Sequence, residues 1–319
     1  MLRIGIDLGG TIVKIGLVDG ERLAGHITIP VDSSGGLRGV LPKIEKAVDE
    51  LLASASAGAK DGPACPVAGV AIAFAGQVDV PGKRVVATNK KYDDAYELDL
   101  EAWARGRWGC PLFIDNDARM AAVGEWRYGA GRGANNLVMM TIGTGIGTAV
   151  INDGRVFRGG HSQFGCLGGH LTVRVGGRKC TCGNLGCVEA ESGSWALPII
   201  ARESEGFEQS PLAHEKKIDY ETLFRIAGSG DEFSKKIRDN CMDVWGSAIV
   251  TYIHAYDPDM VVLGGGVLRS AEVIVPYLQH HVDRYAWTPH HRVPIKCAEL
   301  GDTSAILGAV CCLANPQLQ

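Results

Sequence analysis

Apolar and polar positions alternate in blocks along this chain, and the first block returns later. Leu2 to Gly20 reads as an apolar strand, a glycine turn, a second apolar strand and then Asp19-Gly20, a dipeptide suited to a tight hairpin. Val138 to Gly154 repeats the unit: a shift of 134 positions lays Gly9 on Gly143, Gly10-Thr11 on Thr144-Gly145 and Asp19-Gly20 on Asp153-Gly154. Each half of the chain is therefore expected to begin its own sheet in the same way.

Between the repeats, Val40, Leu41, Ile44, Val48, Leu51 and Leu52 fall at helical spacing, predicting a helix over 40–55 that ends in a loop of small residues. A buried strand is expected over 67–74, ending at Ala75-Gly76, and a short one over 85–89 before a polar loop, 90–96. A helix over 98–108 and a strand over 111–114 follow, then Asp115-Asn116-Asp117 and a helix-forming run. Beyond the second repeat the pattern predicts a helical stretch from Ser192 to Ala201, a polar loop over 207–217, and helices over 220–227 and 232–256. A buried strand, 260–263, then runs into Gly264-Gly265-Gly266 and a helix to Gln279. A strand over 295–298 and a helix over 304–314 close the chain. Strands alternating with helices predict an α/β fold. At 319 residues two domains are expected, with a boundary near 115: an N-terminal α/β domain of 1–115 joined by the C-terminal helix region 303–319, and a second of 116–302.

Composition narrows the class. The chain is 46% hydrophobic and carries a formal charge of −4 with both signs interspersed, so no electrostatic footprint points to nucleic acid or membrane. A small-molecule partner is expected. A strand pattern starts within three residues of Met1 and no apolar run reaches membrane-spanning length, which predicts a cytoplasmic protein. Of the ten cysteines, 65, 110, 166, 241, 297, 311 and 312 lie scattered among apolar neighbours and read as small hydrophobes in a reducing compartment.

The other three cysteines are different. His170, Cys180, Cys182 and Cys187 fall within eighteen residues, with Gly183 and Gly186 to turn the backbone. Four soft ligands on a glycine-jointed loop suit a tetrahedral zinc site, and the spacing is too tight for incidental core thiols. With no open position such a metal is structural, so chemistry must come from elsewhere.

Either glycine turn alone is equally a plain β-hairpin; two in register favour a clamp on the two ends of a polyphosphate, since turn amides point at anions. Asp115-Asn116-Asp117 reads from spacing first as a helix cap. Its place at a strand's carboxyl end is also where α/β folds put ligand chemistry. The triple glycine is either a flexible joint or a turn on which a flat base can lie.

Taken together, Gly169-His170 with CTCGNLGCVE (180–189), DLGGT (7–11), IDNDA (114–118), TIGTGIG (141–147) and LGGGV (263–267) resemble the ROK family of sugar kinases and sugar-responsive repressors, over essentially the whole chain. The resemblance implies a two-domain actin-like ATPase (ribonuclease H-like) fold with duplicated βββαβ units and an interdomain cleft. It implies ATP-dependent phosphorylation of a hexose or N-acetylated amino sugar, glucose-type foremost, with Mg²⁺ and a structural Zn²⁺, in a homodimer. Asp117 would be the catalytic base and Asn116 would hold a sugar hydroxyl beside it. Asp7 would orient Mg²⁺, and Gly9, Gly10, Thr11, Thr144 and Gly145 would cradle phosphate oxygens, with Gly265 and Gly266 against adenosine. His170 would bind zinc through one ring nitrogen and sugar through the other; Glu189, Gly76 and Asn89 would complete the sugar site.

Two positions depart from the family pattern. Leu167 stands where ExGH members have a glutamate that binds hydroxyls near the anomeric carbon, so either another residue takes that role or the substrate differs at that end. Ile12 stands where a lysine or asparagine commonly follows DLGGT; one phosphate contact is lost, or Lys14 supplies it. A sugar-sensing repressor and a non-catalytic sugar binder are the alternatives to a kinase. The repressors of the family carry an N-terminal helix-turn-helix module, whereas this phosphate strand starts at residue 3.

Overall fold

A computed structural model describes residues 1–56, 67–88 and 90–318, and the chain divides into two compact units. One comprises Met1–Gly133, Arg155–Phe164 and Glu299–Gln319; the other comprises Ala134–Gly154 and Gly165–Ala298.

In chain order the elements are β1 (Leu2–Leu8), β2 (Ile12–Asp19), β3 (Arg22–Pro30), α1 (Leu41–Ser56), β4 (Val70–Phe74), β5 (Gln77–Asp79) and β6 (Arg84–Ala87). Then come α2 (Leu100–Trp108), β7 (Leu112–Asn116), α3 (Asp117–Tyr128), β8 (Leu137–Ile142), β9 (Ile146–Asn152) and β10 (Arg155–Val156). Helices α4 (Val188–Ser192), α5 (Leu197–Glu203), α6 (Tyr220–Gly228) and α7 (Glu232–Tyr256) precede β11 (Met260–Gly264). The last elements are α8 (Ala271–Tyr285), β12 (Ile295–Cys297) and α9 (Ser304–Ala314).

The sheet of the first unit has the order β3-β2-β1-β4-β7. Strand β4, VAIAF, is buried at every position because parallel neighbours β1 and β7 flank it and helices cover the faces, whereas edge strand β3 alternates exposed and half-buried residues. The parallel register aligns Asp7, Ala73 and Asp115 in one row and Leu8, Phe74 and Asn116 in the next. Three neighbouring strands thus release the chain at Gly9, Ala75 and Asp117, all at one edge.

Helix α3 stays with this unit, through Gly133, instead of opening the second as the expected boundary at 115/116 has it. The reason is α9, which is buried from Ser304 to Cys312 and lies directly on α3. A Cβ on Gly308 would sit 1.8 Å from the Met120 carbonyl oxygen and one on Gly124 would sit 2.1 Å from that of Ser304. Only glycine permits that approach.

In the second unit β9, β8, β11 and β12 are neighbours in that order, with β8 and β9 antiparallel and β8, β11 and β12 parallel. This is the sequence and sense of β2-β1-β4-β7, as the repeat predicts. The two turns differ by one residue: Leu8 pairs with Val13, while Ile142 pairs with Ile146. The expected helical stretch at 192–201 is two helices, α4 and α5, and α8 starts at Ala271 after a 3-10 turn over Gly266–Ser270 and runs on to Tyr285. Helix α7, 25 residues capped by Asp231 accepting from the Ser234 amide, buries a stripe that includes Cys241, Trp245, Ile249 and Tyr252. No helix among the described residues is long and apolar enough to cross a membrane.

Candidate functional site

The first glycine turn is built so that its carbonyls are taken and its amides are not. The Gly9 carbonyl accepts from the Tyr92 hydroxyl at 2.6 Å, that of Gly10 from the Ser33 amide at 3.1 Å and that of Thr11 from the Val31 amide at 2.9 Å. Among the described residues, the amides of Gly9, Gly10 and Thr11 donate to no protein acceptor. Adjacent free N–H groups form an anion nest, and glycine leaves room above it. A Cβ on Gly9 would already lie 2.5 Å from the Ile12 carbonyl oxygen.

On the neighbouring strand ends stand two carboxylates. Asp7 faces Lys14 across the β1–β2 pairing, Nζ to Oδ2 3.4 Å, and Lys14 also reaches Asp302 at 3.0 Å. Burial, outweighing Lys14, raises the Asp7 pKa above the ordinary aspartate range. Asp117 opens α3. Its Oδ1 accepts from Asn116 Nδ2 at 3.0 Å and from the Ala118 amide at 2.8 Å, leaving Oδ2 without a protein hydrogen bond among the described residues. Part of its surface is open, yet the protein packed around it makes lost hydration the largest influence, with the Asp7 carboxylate next, and together they push Asp117 up to about 6. The helix N-terminus and Lys91 pull the other way and lose.

Asn116 is the helix cap that its spacing predicted, Oδ1 accepting from the Arg119 amide at 3.1 Å. Its Nδ2 donates to the Gly76 carbonyl and to Asp117, both at 3.0 Å. Both amide protons are thereby used, one on Gly76 and one on Asp117, so the expected hydrogen bond to a sugar hydroxyl could come only from the remaining lone pair of Oδ1. Gly76 is a tight passage, where a Cβ would meet the Ala87 carbonyl oxygen at 2.3 Å. Asn89, expected in the sugar site, lies outside the described residues.

Below this edge Asp115 is fully buried and ion-paired to two arginines, Arg119 through Nη1 and Arg158 through Nε, the latter at 2.8 Å. Arg119 Nη2 also donates to the Ser162 carbonyl at 2.9 Å. The network anchors segment 155–164 to β7 one residue before the cap.

The polar run 90–94, whose reach the motifs left open, closes over the first turn. Tyr92 is fully buried, packs on Phe74 with ring centroids 6.2 Å apart, and donates its amide to Ser33. Asp94 accepts from the amides of Leu37 and Arg38, and Thr88 donates to Asp93 at 2.6 Å. Lys90 and Tyr92 adopt φ of 61° and 58°, a left-handed conformation that costs a non-glycine residue on the order of 1 kcal/mol. The anchors around them hold it.

In the second unit the turn follows the same logic. The Thr144 carbonyl accepts from the Trp195 amide at 3.1 Å and that of Gly145 from the Gly143 amide at 3.0 Å, while the Thr144 and Gly145 amides have no protein acceptor among the described residues. Glu189 sits beneath this turn, 5% exposed, accepting from the Ile146 amide at 2.9 Å and Trp195 Nε1 at 3.1 Å. Its Oε2 braces the end of the turn and its Oε1 holds Trp195, whose own amide is bonded to Thr144, a job that the motif alone did not disclose. Gly265, at φ 96°, passes so close to β8 that a Cβ would lie 2.2 Å from the Ile142 carbonyl oxygen, and Gly266 faces open space.

His170, Cys180, Cys182 and Cys187 converge, their ligand atoms all within 4.8 Å of one another. His170 Nδ1 lies 3.6 Å from Cys180 Sγ, and Cys182 Sγ lies 3.7 Å from Cys187 Sγ. Sulfurs on a tetrahedral zinc, at about 2.3 Å each, would stand about that far apart. One imidazole and three thiols are a soft donor set that fits Zn²⁺. Burial pushes the Cys187 thiol up to about 12, so three thiolates in this shell require a cation to hold them. Nε2 of His170 has no protein hydrogen bond among the described residues. The loop is further tied by Glu191, which accepts from the Arg178 amide at 2.6 Å, and by Tyr252, which donates to the Gly168 carbonyl at 3.0 Å.

Comparison with known proteins places the chain among sugar kinases and sugar-responsive repressors. A glucokinase from Thermotoga maritima is 32% identical over 289 residues, 88% of this chain and 87% of that protein. A ROK family glucokinase from Streptomyces griseus, in a crystal structure with glucose and AMPPNP, superposes with a TM-score of 0.78 at 27% identity, covering 97% of this chain and 98% of that one. The α/β fold is thus that of ROK glucokinases, of the actin-like ATPase type. A xylose repressor from Bacillus spizizenii is 28% identical over 88% of this chain and 68% of its own length. The family model described as ROK family matches residues 3–315, through both glycine turns, the Asn116-Asp117 helix start and the cysteine loop, and the chain belongs to the ROK family.

Proposed function

We propose that this chain is an ATP-dependent sugar kinase, transferring the γ-phosphoryl group to a hydroxyl of a hexose or N-acetylated amino sugar, glucose-type foremost. The observation that carries the reading is in the first unit: a carboxylate with a free oxygen, Asp117, stands at the same sheet edge, with only β4 between its strand and the one ending in a turn whose amides have no protein acceptor. Kinship with glucokinases supports it.

Asp117, at about 6, is mostly ionised at neutral pH and accepts the proton of the attacking hydroxyl. An alcohol is far too weak an acid to lose its proton beforehand, so the transfer belongs late, as the phosphoryl group moves, and catalysis is chiefly positioning and charge neutralisation. Asn116 and the Ala118 amide hold one oxygen of Asp117 and so aim the other. Gly9, Gly10 and Thr11, and in the second unit Thr144 and Gly145, take phosphate oxygens on their amides; Gly265 and Gly266 take the adenosine. Asp7, a hard oxygen donor, suits Mg²⁺ held through water. Gly76, Asn89, Asn116, His170 through Nε2, and Glu189 remain the proposed sugar contacts, with Asn116 and Glu189 working first as braces. His170 Nδ1 and the three cysteines would hold Zn²⁺, which supplies a cross-link and no reactive position. The two compact units are proposed as the domains, and a homodimer as the assembly.

Likeness to a xylose repressor favours a second reading, sugar binding without transfer. One experiment separates them: a coupled assay for ADP across hexoses, N-acetylhexosamines and ketoses, with zinc-loaded protein, alongside calorimetric sugar titration. Turnover that disappears in Asp117→Asn while sugar binding persists supports the kinase. Binding without ADP release from any of them supports the second reading and rejects the first.

A further inference from the structure

A turn that takes phosphate usually has a cation at hand, and this one has none of its own. Residues Gly9 to Ile12 carry no basic side chain, and Ile12 is 43% exposed. Lys14 is committed on both sides, to Asp7 and to Asp302. Lys91 is not. Its stem crosses the turn so closely that a Cβ on Gly10 would lie 3.1 Å from both its Cδ and its Cε. Half-buried, its ammonium forms no ion pair among the described residues, while its charge acts on Asp7 and on Asp117 alike. The backbone that carries it is fixed: its amide donates to the Thr88 carbonyl at 3.0 Å, and the next residue, Tyr92, is buried and bonded to Gly9. Lys90, by contrast, is exposed.

We propose that Lys91 is the phosphate-binding cation of this active site, pairing its ammonium with a terminal phosphate oxygen of a nucleoside triphosphate seated on the amides of Gly9, Gly10 and Thr11. The proposal rests on the kinase reading and deepens it. Lys91 takes no part in the bond changes; the phosphoryl group passes from the leaving diphosphate to the sugar oxygen, and that hydroxyl's proton goes to Asp117. What Lys91 supplies is positive charge where the equatorial oxygens of the moving group gather negative charge. The position after Thr11 carries the apolar Ile12, and Lys91, 79 positions further on and held beside the buried Tyr92, supplies the charge over the turn. A competing role, in which Lys91 only steadies Asp7 and Asp117, predicts a change in how those carboxylates titrate and none in triphosphate affinity.

Calorimetry with AMPPNP and with AMP, both with Mg²⁺, distinguishes the two for wild type, Lys91→Met, Lys91→Arg and Lys14→Met. Loss of one charge-assisted contact is worth about 10- to 100-fold. Lys91→Met should therefore bind AMPPNP weaker by that factor with AMP affinity unchanged. Its kcat/KM for ATP should fall at least as far with the sugar KM and the melting temperature held, and Lys91→Arg should recover part of both. Lys14→Met should lower stability more than it alters discrimination between AMPPNP and AMP. Wild-type discrimination between the two nucleotides in Lys91→Met overturns the proposal, as does an equal loss for both nucleotides with a lowered melting temperature. Wild-type protein that binds AMPPNP through Lys91 but phosphorylates no sugar would sink the kinase reading and leave the phosphate contact standing.

Discussion

The hydroxyl of Tyr92 donates to the carbonyl oxygen of Gly9 at 2.6 Å, joining residues 83 positions apart. Burial, helped by Asp7, pushes this phenol up to about 12, so it keeps its proton and donates at any working pH. Tyr92→Phe leaves the carbonyl without its partner and should cost about 1–3 kcal/mol in urea unfolding. Because that bond fixes the Gly9–Gly10 peptide and turns the Gly10 amide outward, KM for ATP should rise more than KM for the sugar. Equal effects on both would detach Tyr92 from the phosphate turn.

Asp117 gives a pH dependence of definite sign. Its folded pKa, about 6, lies above the ordinary aspartate value, so between roughly pH 4 and 6 the native state holds a proton that the unfolded chain has released. Stability therefore falls as pH rises through that window. Asp117→Asn, which carries no charge to desolvate, should be more stable than wild type at pH 8, on the order of 2 kcal/mol, with the gap closing towards pH 4. Wild-type kcat/KM should decline below about pH 6 as the base is protonated. Thermal melts of both proteins at pH 5 and pH 8, with a pH–rate profile, check the two halves separately.

The buried group of Asp115, Arg119 and Arg158 should be intolerant of partial removal. Arg119→Met strips Asp115 of one of its two cations and should cost about 3–5 kcal/mol, since a buried carboxylate short of partners bears its desolvation uncompensated. Because the Asn116 amide donates to Asp115 at 2.7 Å, surviving folded enzyme should lose kcat more than sugar affinity. Unchanged unfolding midpoints would contradict the burial described.

Helices α3 and α9 touch through Gly124 and Gly308. Gly308→Ala places a methyl group inside the Met120 carbonyl and must push the helices apart, at about 1–3 kcal/mol or more. Since α3 carries Asp117 on its first turn, kcat should drop although residue 308 lies far along the chain. Differential scanning calorimetry with steady-state kinetics reads both effects.

Metal removal should act on the cysteine loop. Zinc analysis should find one equivalent per chain, and chelation should lower the melting temperature and raise the sugar KM, because His170 and the start of α4 hang on that loop. Metal-free protein with unaltered sugar kinetics would separate the loop from the sugar site.

Much of this was legible in the residues alone. The 134-residue repeat announced two sheets begun alike, because a strand, a glycine turn and a strand leave a periodic trace wherever they occur. Asn116 revealed itself as a cap, and the four zinc-type ligands revealed themselves by spacing, since caps and short metal loops are made by neighbours in sequence. The helix over 304–314 was read at its true ends for the same local reason.

Other features were decided by the tertiary structure. Lys91 and Tyr92 reach the turn at Gly9–Gly10 through a polar run that local pattern marks only as a loop. Glu189 lies under Thr144–Ile146 and accepts from the Ile146 amide, where the motif suggested a sugar contact. Helix α3 belongs with β7 because Gly124 meets Gly308. In each case the partners are more than forty positions apart, and which side chain arrives depends on strand register and helix packing. The amino-acid order by itself specified periodicity, turn chemistry and clusters of near neighbours; the folded chain chose the distant groups that anchor Asn116 to Gly76, seat Glu189 under the second turn and bring a cation over the first.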